Sequence, residues 1–453
     1  MALVLMLVAS AIVTSWPSYR AHAQTHAEAP EAGPVGEFAL GKTMATARGF
    51  HTATLLQDSR VLLTGGGDGV SVLNSAETFE PDTGRLALTG SMILGRLNHR
   101  ATLLDNGEVL VTGGGNDNFF GSAEIYSPLM AAFTAASDML IGRSNHTSAL
   151  LKDGRVLIAG GLGDKFVSIG AAEVFDPETR EFVSVGSTNV SRSHHTATLL
   201  PDGRVAIVGG FGATGSLGSV ELFDPSSDDF VEIGQLAVHR ANHTTTLVDG
   251  GLLMVAGGTA LNQETAGERP VGEIELFSVD GRLSRKTQQK AIPRATHTSS
   301  LLPDARVLLA GGIGPGDAVV GLAQIFDPVD ESVVMTDIMF VARTFHNAIS
   351  LSDGRVLIAG GVAAGNVILS TSEFFEYIEP EPSIAAKSPT SVPVPTAVAP
   401  VPSTPTVLPT QEASTVQRSG ACSASAGGVL LGHLAAFMIP AGLVAMQRIR
   451  SKR

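Results

Sequence analysis

At 453 residues, with 44% hydrophobic and only 16% charged side chains, the chain has ample material for a buried core, which excludes global disorder. Its formal net charge is −13, and four basic groups among the last six residues leave −17 on everything before them, a body that repels nucleic-acid phosphates and anionic lipid head groups. A single cysteine excludes an intramolecular disulfide.

Residues 2–13 form an apolar stretch, followed by Trp16, Pro17 and small residues ending Ala21-His22-Ala23. This predicts a secretory signal peptide over residues 1–23, cleaved after Ala23; an uncleaved anchor is the other reading, because no Lys or Arg precedes the apolar stretch. Residues 24–35 read as a short linker.

From residue 36 to 378 one unit recurs seven times. His stands at His51, His99, His146, His195, His243, His297 and His346, a period of about 49 residues. Three residues before each is an arginine: Arg48, Arg96, Arg143, Arg192, Arg240, Arg294 and Arg343. Fourteen residues after each histidine a Gly-Gly pair begins, as at Gly65, Gly113 and Gly160. Next comes an acid with an aromatic two residues later, at Glu77, Glu124, Glu173, Glu221, Glu275 and Glu373; the sixth unit has Gln324 instead. Constant offsets across all units mark one structural module.

Each unit reads as four short strands. The first leads into a turn such as Asp153-Gly154, whose residues tolerate the positive φ of a two-residue hairpin. The second, like the run before Gly160, is continuously apolar, as for a strand buried on both faces. The third carries the acid, and Asp176-Pro177 turns the chain into the fourth. Four antiparallel strands at this period predict an all-β chain folded as a β-propeller. Phe133, Phe182 and Phe230 each stand ten residues before the next arginine, and Phe38 stands ten before Arg48, with no blade ahead of it. The seventh unit ends after Phe375 without a fourth strand. The N-terminal strand is therefore expected to complete the last blade and close a ring of seven.

The Gly-Gly pair after strand two and the aromatic after the acid resemble the Kelch-repeat, galactose oxidase-like propellers over residues 36–378. The resemblance implies a seven-bladed Kelch-type β-propeller. It departs in having Phe where Kelch units usually have Tyr, and in lacking Trp in strand four. That family includes oxidases, epimerases, cyclases and binding modules, so fold alone gives no function. Its copper-radical chemistry uses two Tyr and two His with a Tyr–Cys crosslink. Here the propeller has only Tyr126 and Tyr377, and the sole cysteine, Cys422, lies beyond it.

Residues 379–426 follow as a stalk rich in Pro, Thr and Ser, which favours extended polyproline II. Residues 427–446 carry no formal charge and are long enough for a transmembrane helix. Residues 447–453 form a basic tail that keeps this end cytoplasmic. Cys422, within Ser419-Gly420-Ala421-Cys422-Ser423 just before the span, resembles the C-terminal sorting signals of bacterial surface proteins. That resemblance implies cutting by a membrane protease near Cys422; a plain tail anchor is the other reading.

A residue needed by the fold appears in every blade, whereas a residue needed for chemistry appears once. The repeated Arg, His, Glu and Gln324 are thus expected to be scaffold. The histidines are too spread around the ring to share a metal ion. His194, beside His195, stands outside the repeat. No HExxH, GxSxG or P-loop pattern occurs, so no catalytic residue, cofactor or metal is expected. The unrepeated loop residues between strands two and three are the candidate ligand-binding set: Asn116, Asp117, Asn118, Phe119, Phe120, Asp164, Lys165, Phe166 and Phe211. The expected function is a noncatalytic module displayed at the cell envelope, binding a surface protein or glycan, as a monomeric propeller held to the membrane by its C-terminal helix. An enzyme acting on extracellular carbohydrate is the alternative, favoured by two or three unrepeated acids in the central channel. A passive spacer is the third.

Overall fold

A computed structural model describes residues 36–116, 118–261, 267–281 and 283–378. The expected signal peptide with Ala23, the stalk, Cys422 and the span at 427–446 lie outside these residues. No helix among the described residues is long and apolar enough to cross a membrane.

The described residues form seven antiparallel four-stranded sheets. The third blade is representative, with strands Thr147–Leu150, Val156–Ala159, Ala171–Asp176 and Glu181–Ser187. Its second strand, Val-Leu-Ile-Ala, is buried along its whole length because another blade packs on each side. Seven apolar clusters fill the seams between successive blades. The one joining blades two and three includes Leu110, Ile125, Ile158 and Phe175.

The seventh blade is built from both ends of the propeller. Asn347–Ser350, Val356–Ala359 and Ser372–Tyr377 are joined by Gly36–Leu40, which pairs antiparallel with Phe38 opposite Phe375. The two phenylalanine rings lie 5.3 Å apart, and Phe38 also packs into the seam with blade six. The early strand thus removes the last open sheet edge.

The hairpin turns differ from the expected two-residue form. Leu151 N–H bonds the Arg155 carbonyl, and Gly154 N–H bonds the Leu151 carbonyl, so three residues make the turn. Only Gly154 has positive φ there (85°). This is a type I turn closed by a glycine, the usual three-residue solution. Asp153 is needed for a different reason: its carboxylate accepts from the backbone N–H and Nε of Arg155.

On the opposite face, one buried clamp repeats. All seven arginines are 0% exposed. In the third blade Arg143 Nη1 donates to the carbonyls of Gly160 and Ala171, and Nη2 donates to Glu173 Oε1 at 2.5 Å. The Glu173 carboxylate also accepts the backbone N–H groups of Leu140 and Ile141, in the link entering the blade. One guanidinium and one carboxylate therefore tie link, Gly-Gly turn and third strand together. Such a pair is well placed because its remaining donors and lone pairs are satisfied as well. The sixth blade substitutes Gln324, whose Oε1 accepts from Arg294 at 3.1 Å and from Ile292 N–H. With no carboxylate to oppose it, burial pulls Arg294 down to about 10.

Glu173→Ala should lose about 3–5 kcal/mol by stranding a buried cation. Glu173→Gln should lose less, since blade six already tolerates the amide. Gln324→Glu should raise stability. Denaturant midpoints of the three variants check the ranking; equal losses for Ala and Gln at 173 count against the clamp.

Candidate functional site

The ring histidines sit in the seams between blades. Nε2 of His195, His243, His297 and His346 meets the hydroxyl of Thr147, Thr196, Thr244 and Thr298 respectively, at 2.8–3.3 Å, each on the innermost strand of the preceding blade. His99 meets Thr52 in the same way, at 3.0 Å. Two seams depart from this pattern. In the second blade the threonine is replaced by Arg100, whose Nε donates to the His146 carbonyl at 2.7 Å, and His146 turns to Thr112. In the seventh it is Asn347, whose amide donates to the His51 carbonyl at 2.8 Å. Each imidazole also packs on the preceding blade's first glycine: a Cβ on Gly160 would lie 2.7 Å from His195 Cε1.

Burial first, and neighbouring arginines second, hold these imidazoles far below their ordinary pKa, at about 3 for His99, His243 and His346. His51, His146, His195 and His297 are depressed in the same direction by the same burial.

The residue before each ring histidine forms a collar around the axis. Phe50, Asn98, Asn145, His194, Asn242, Thr296 and Phe345 all have φ between 50° and 58°. Their backbones link head to tail from blade to blade: Asn98 N–H to Phe50 O, Asn145 to Asn98, His194 to Asn145, Asn242 to His194, Thr296 to Asn242, and Phe50 to Phe345. Hydroxyls carry the remaining step, with Thr296 Oγ1 bonded to Thr344 Oγ1 at 2.6 Å. Hydrogen-bonded neighbours about 5 Å apart make a seven-membered ring about 11 Å across.

The collar is chemically uneven. Phe50 and Phe345 pair at 4.3 Å. No hydrogen bond within the described residues engages the side-chain amides of Asn98 and Asn242. His194 bonds Ser193 Oγ through Nδ1 at 3.2 Å and lies edge-on to Phe211 at 5.7 Å. Burial and then the Arg100 charge lower His194 to about 4. Inside the collar an axial cavity of about 350 Å³ is lined by Arg100 and by Thr147, Thr196, Thr244, Thr298 and Asn347 among others, with no acid in its lining.

The loop residues singled out from the sequence divide into groups. Phe119 and Phe166 meet across the blade two–three seam, edge to face at 5.0 Å. Phe211 belongs with His194. Phe120 covers the buried Arg96 guanidinium at 5.5 Å and so serves the scaffold. Asn116, Asn118, Asp164 and Lys165 are exposed. Asp117 lies outside the described residues. The collar and Arg100 were not singled out. Their signal was present in the sequence as positions that vary on either side of an unvarying histidine. A second hollow of about 480 Å³ lies on the hairpin-turn face, where Arg180 pairs with Glu108 at 3.4 Å.

No model of a known protein family matches the sequence, and no curated protein matches it. Solved structures share the fold. A fungal alcohol oxidase of the AA5 family, in complex with copper, gives a TM-score of 0.61 at 16% identity, covering 76% of this chain and 76% of that one. YjhT gives 0.53 at 14% identity, covering 66% of this chain and 99% of that one. Identities this low show the fold alone.

The oxidase corrects the expectation of a noncatalytic protein. An enzyme occupies the same fold over three quarters of this chain, so the lack of a contiguous motif decides nothing. In a propeller, reacting groups come from loops of different blades and leave no local signature. Among the described residues no three His, Cys, Asp or Glu group to hold a metal. The Tyr126 hydroxyl is tied to Thr89 at 2.8 Å, and the Tyr377 hydroxyl to Arg306 on the hairpin-turn face.

The depressed imidazoles give a signed pH dependence. Folded, they stay neutral; unfolded, they take up protons below about 6.5. Stability is therefore complete above that value and falls as pH drops, by about 1.4 kcal/mol per unit for each histidine. The seven ring histidines and His194 together lose roughly 10 kcal/mol per unit below pH 6, comparable to the whole stability of a typical domain. Cooperative acid unfolding is expected above pH 4.5, read by thermal melts from pH 7 to 4. A flat melting midpoint between pH 7 and 5 contradicts the buried neutral ring.

Proposed function

We propose that this chain is an exported propeller that binds a glycan at the collar and the loops around it. The strained backbone of the collar carries the reading. Asparagine tolerates left-handed φ, which accounts for Asn98, Asn145 and Asn242 without any ligand. Histidine is enriched there too, which covers His194, but neither accounts for Phe50, Thr296 and Phe345. Bulky or β-branched residues are disfavoured there, and such strain is of order 1–3 kcal/mol per residue. A tilted aromatic pair beside free amides and an imidazole suits a sugar, whose ring has apolar faces and whose edge is all hydroxyl. Less about 4 Å of van der Waals thickness, the backbone ring leaves an aperture of about 7 Å, the scale of one sugar ring, whereas a standard protein partner covers about 800 Å². Export rests on the signal-like residues before Gln24 and on the stalk, Cys422 motif and apolar run at the other end. The same features suit display at the cell envelope.

A second reading, an enzyme acting on the bound carbohydrate, is favoured by His194. Its imidazole is unrepeated and neutral, and its Nε2 makes no hydrogen bond within the described residues, so it can hydrogen-bond a bound hydroxyl.

A glycan array probed with the full chain, and with Phe50→Asn/Phe345→Asn, tests the binding. The double variant should stay within about 1 kcal/mol of wild-type stability, because relief of strain offsets a ring pair worth about 0.5–1.5 kcal/mol. It should lose the glycan signal. Equal binding by both proteins, or binding only to proteins in a parallel screen, overturns the reading. Product analysis of any bound glycan with wild type and His194→Gln separates binding from turnover.

A further inference from the structure

The seven buried arginines are accounted for by the clamp, but the half-buried Arg100 is not. At the first position of the innermost strand five blades place threonine, the seventh places Asn347, and the second places Arg100. The scaffold needs at most one donor there, to the carbonyl of the next blade's histidine. Asn347 supplies it with a neutral amide. Arg100 supplies it with Nε alone. Of the five N–H donors on a guanidinium, four remain, and within the described residues they meet no acceptor. No carboxylate lies in the cavity lining, and burial lowers the Arg100 pKa with no opposing acid.

A half-buried cation with no acid opposite it is costly to keep and is ordinarily replaced or paired. This one faces a cavity of about 350 Å³ ringed by threonine and serine hydroxyls, which can turn to donate. The imidazoles nearby are neutral, so Arg100 is the single formal charge in the lining. Arg100 begins the innermost strand two residues beyond Asn98 of the collar.

We propose that Arg100 and the hydroxyls around it form an anion-binding site in the axial channel, for a compact oxyanion of the carboxylate or phosphate class. The free Nη1 and Nη2 edge presents two parallel N–H groups at the spacing of two oxygens on one such group, and the hydroxyls take the rest. The anion enters either as a free ion or as the acidic group of a larger ligand seated at the collar. The negative net charge of the chain does not forbid this, because exposed charges are screened beyond about 10 Å at 0.1 M salt. The site does not depend on the glycan reading.

The test is the melting midpoint of the full chain, with calorimetric titration, in sodium phosphate, acetate, glucuronate or glucose. Ionic strength is held constant with sodium chloride. Arg100→Thr restores the residue most blades carry, and Arg100→Gln keeps a donor for the His146 carbonyl without the charge. Wild type should be stabilised progressively over the millimolar range of an oxyanion, as linkage requires. Both variants should melt at or above the unliganded wild type and show no such rise. Stabilisation by phosphate or acetate identifies a free-ion site; stabilisation by glucuronate alone identifies the acidic group of a larger ligand. A response to phosphate with none to glucose or to any array glycan leaves this site standing while the glycan reading falls. If wild type responds to no oxyanion beyond chloride, or if the variants respond as wild type does, the site does not exist.

Discussion

The buried arginine–carboxylate clamp is the constraint on which the rest depends. A propeller blade is only four short strands, and its link to the next blade has no regular structure to hold it. Arg143 spends its guanidinium on two carbonyls and one carboxylate, and Glu173 returns two acceptors to the incoming link. That fixes the segment carrying the collar residue and the ring histidine. The seam contacts between His and Thr then tie neighbouring blades to one another. Without the clamp, neither the left-handed collar nor the hydroxyl-lined channel has a defined position.

Against this regular background the irregular residues acquire meaning. The collar backbone is left-handed in every blade, so that geometry belongs to the fold. The side chains on it are not what such a backbone prefers at Phe50, Thr296 and Phe345. Arg100 breaks the threonine pattern one residue beyond a ring histidine. These departures converge on the axis. The collar sits above the channel, and the Arg100 charge already acts on His194. A ligand at one would be felt at the other through that charge.

Much of the architecture could be read from offsets alone. Arg, His, Gly-Gly and acid at constant spacing identified the blade, and the unpaired element at Phe38 identified the seal. The turn chemistry was less legible, because Asp153-Gly154 suits both two- and three-residue hairpins and only the hydrogen-bond partners distinguish them. The candidate site was legible only in part. Phe119 and Phe166 drew notice as loop aromatics, and they do meet, but Phe120 beside them faces inward onto Arg96. The collar residue stands at a constant offset between Arg and His but changes identity from blade to blade, so no repeat marks it.

Sequence by itself determined the blade, the count of seven and the closure, since these follow from local periodicity and from which strands lack partners. Tertiary structure alone decided what surrounds the axis. Residues about 49 positions apart become neighbours only when the ring closes, and no local pattern records which of them face each other. The same holds for Arg100: its charge is plain in the sequence, but the lack of an acid opposite it is a property of the closed channel.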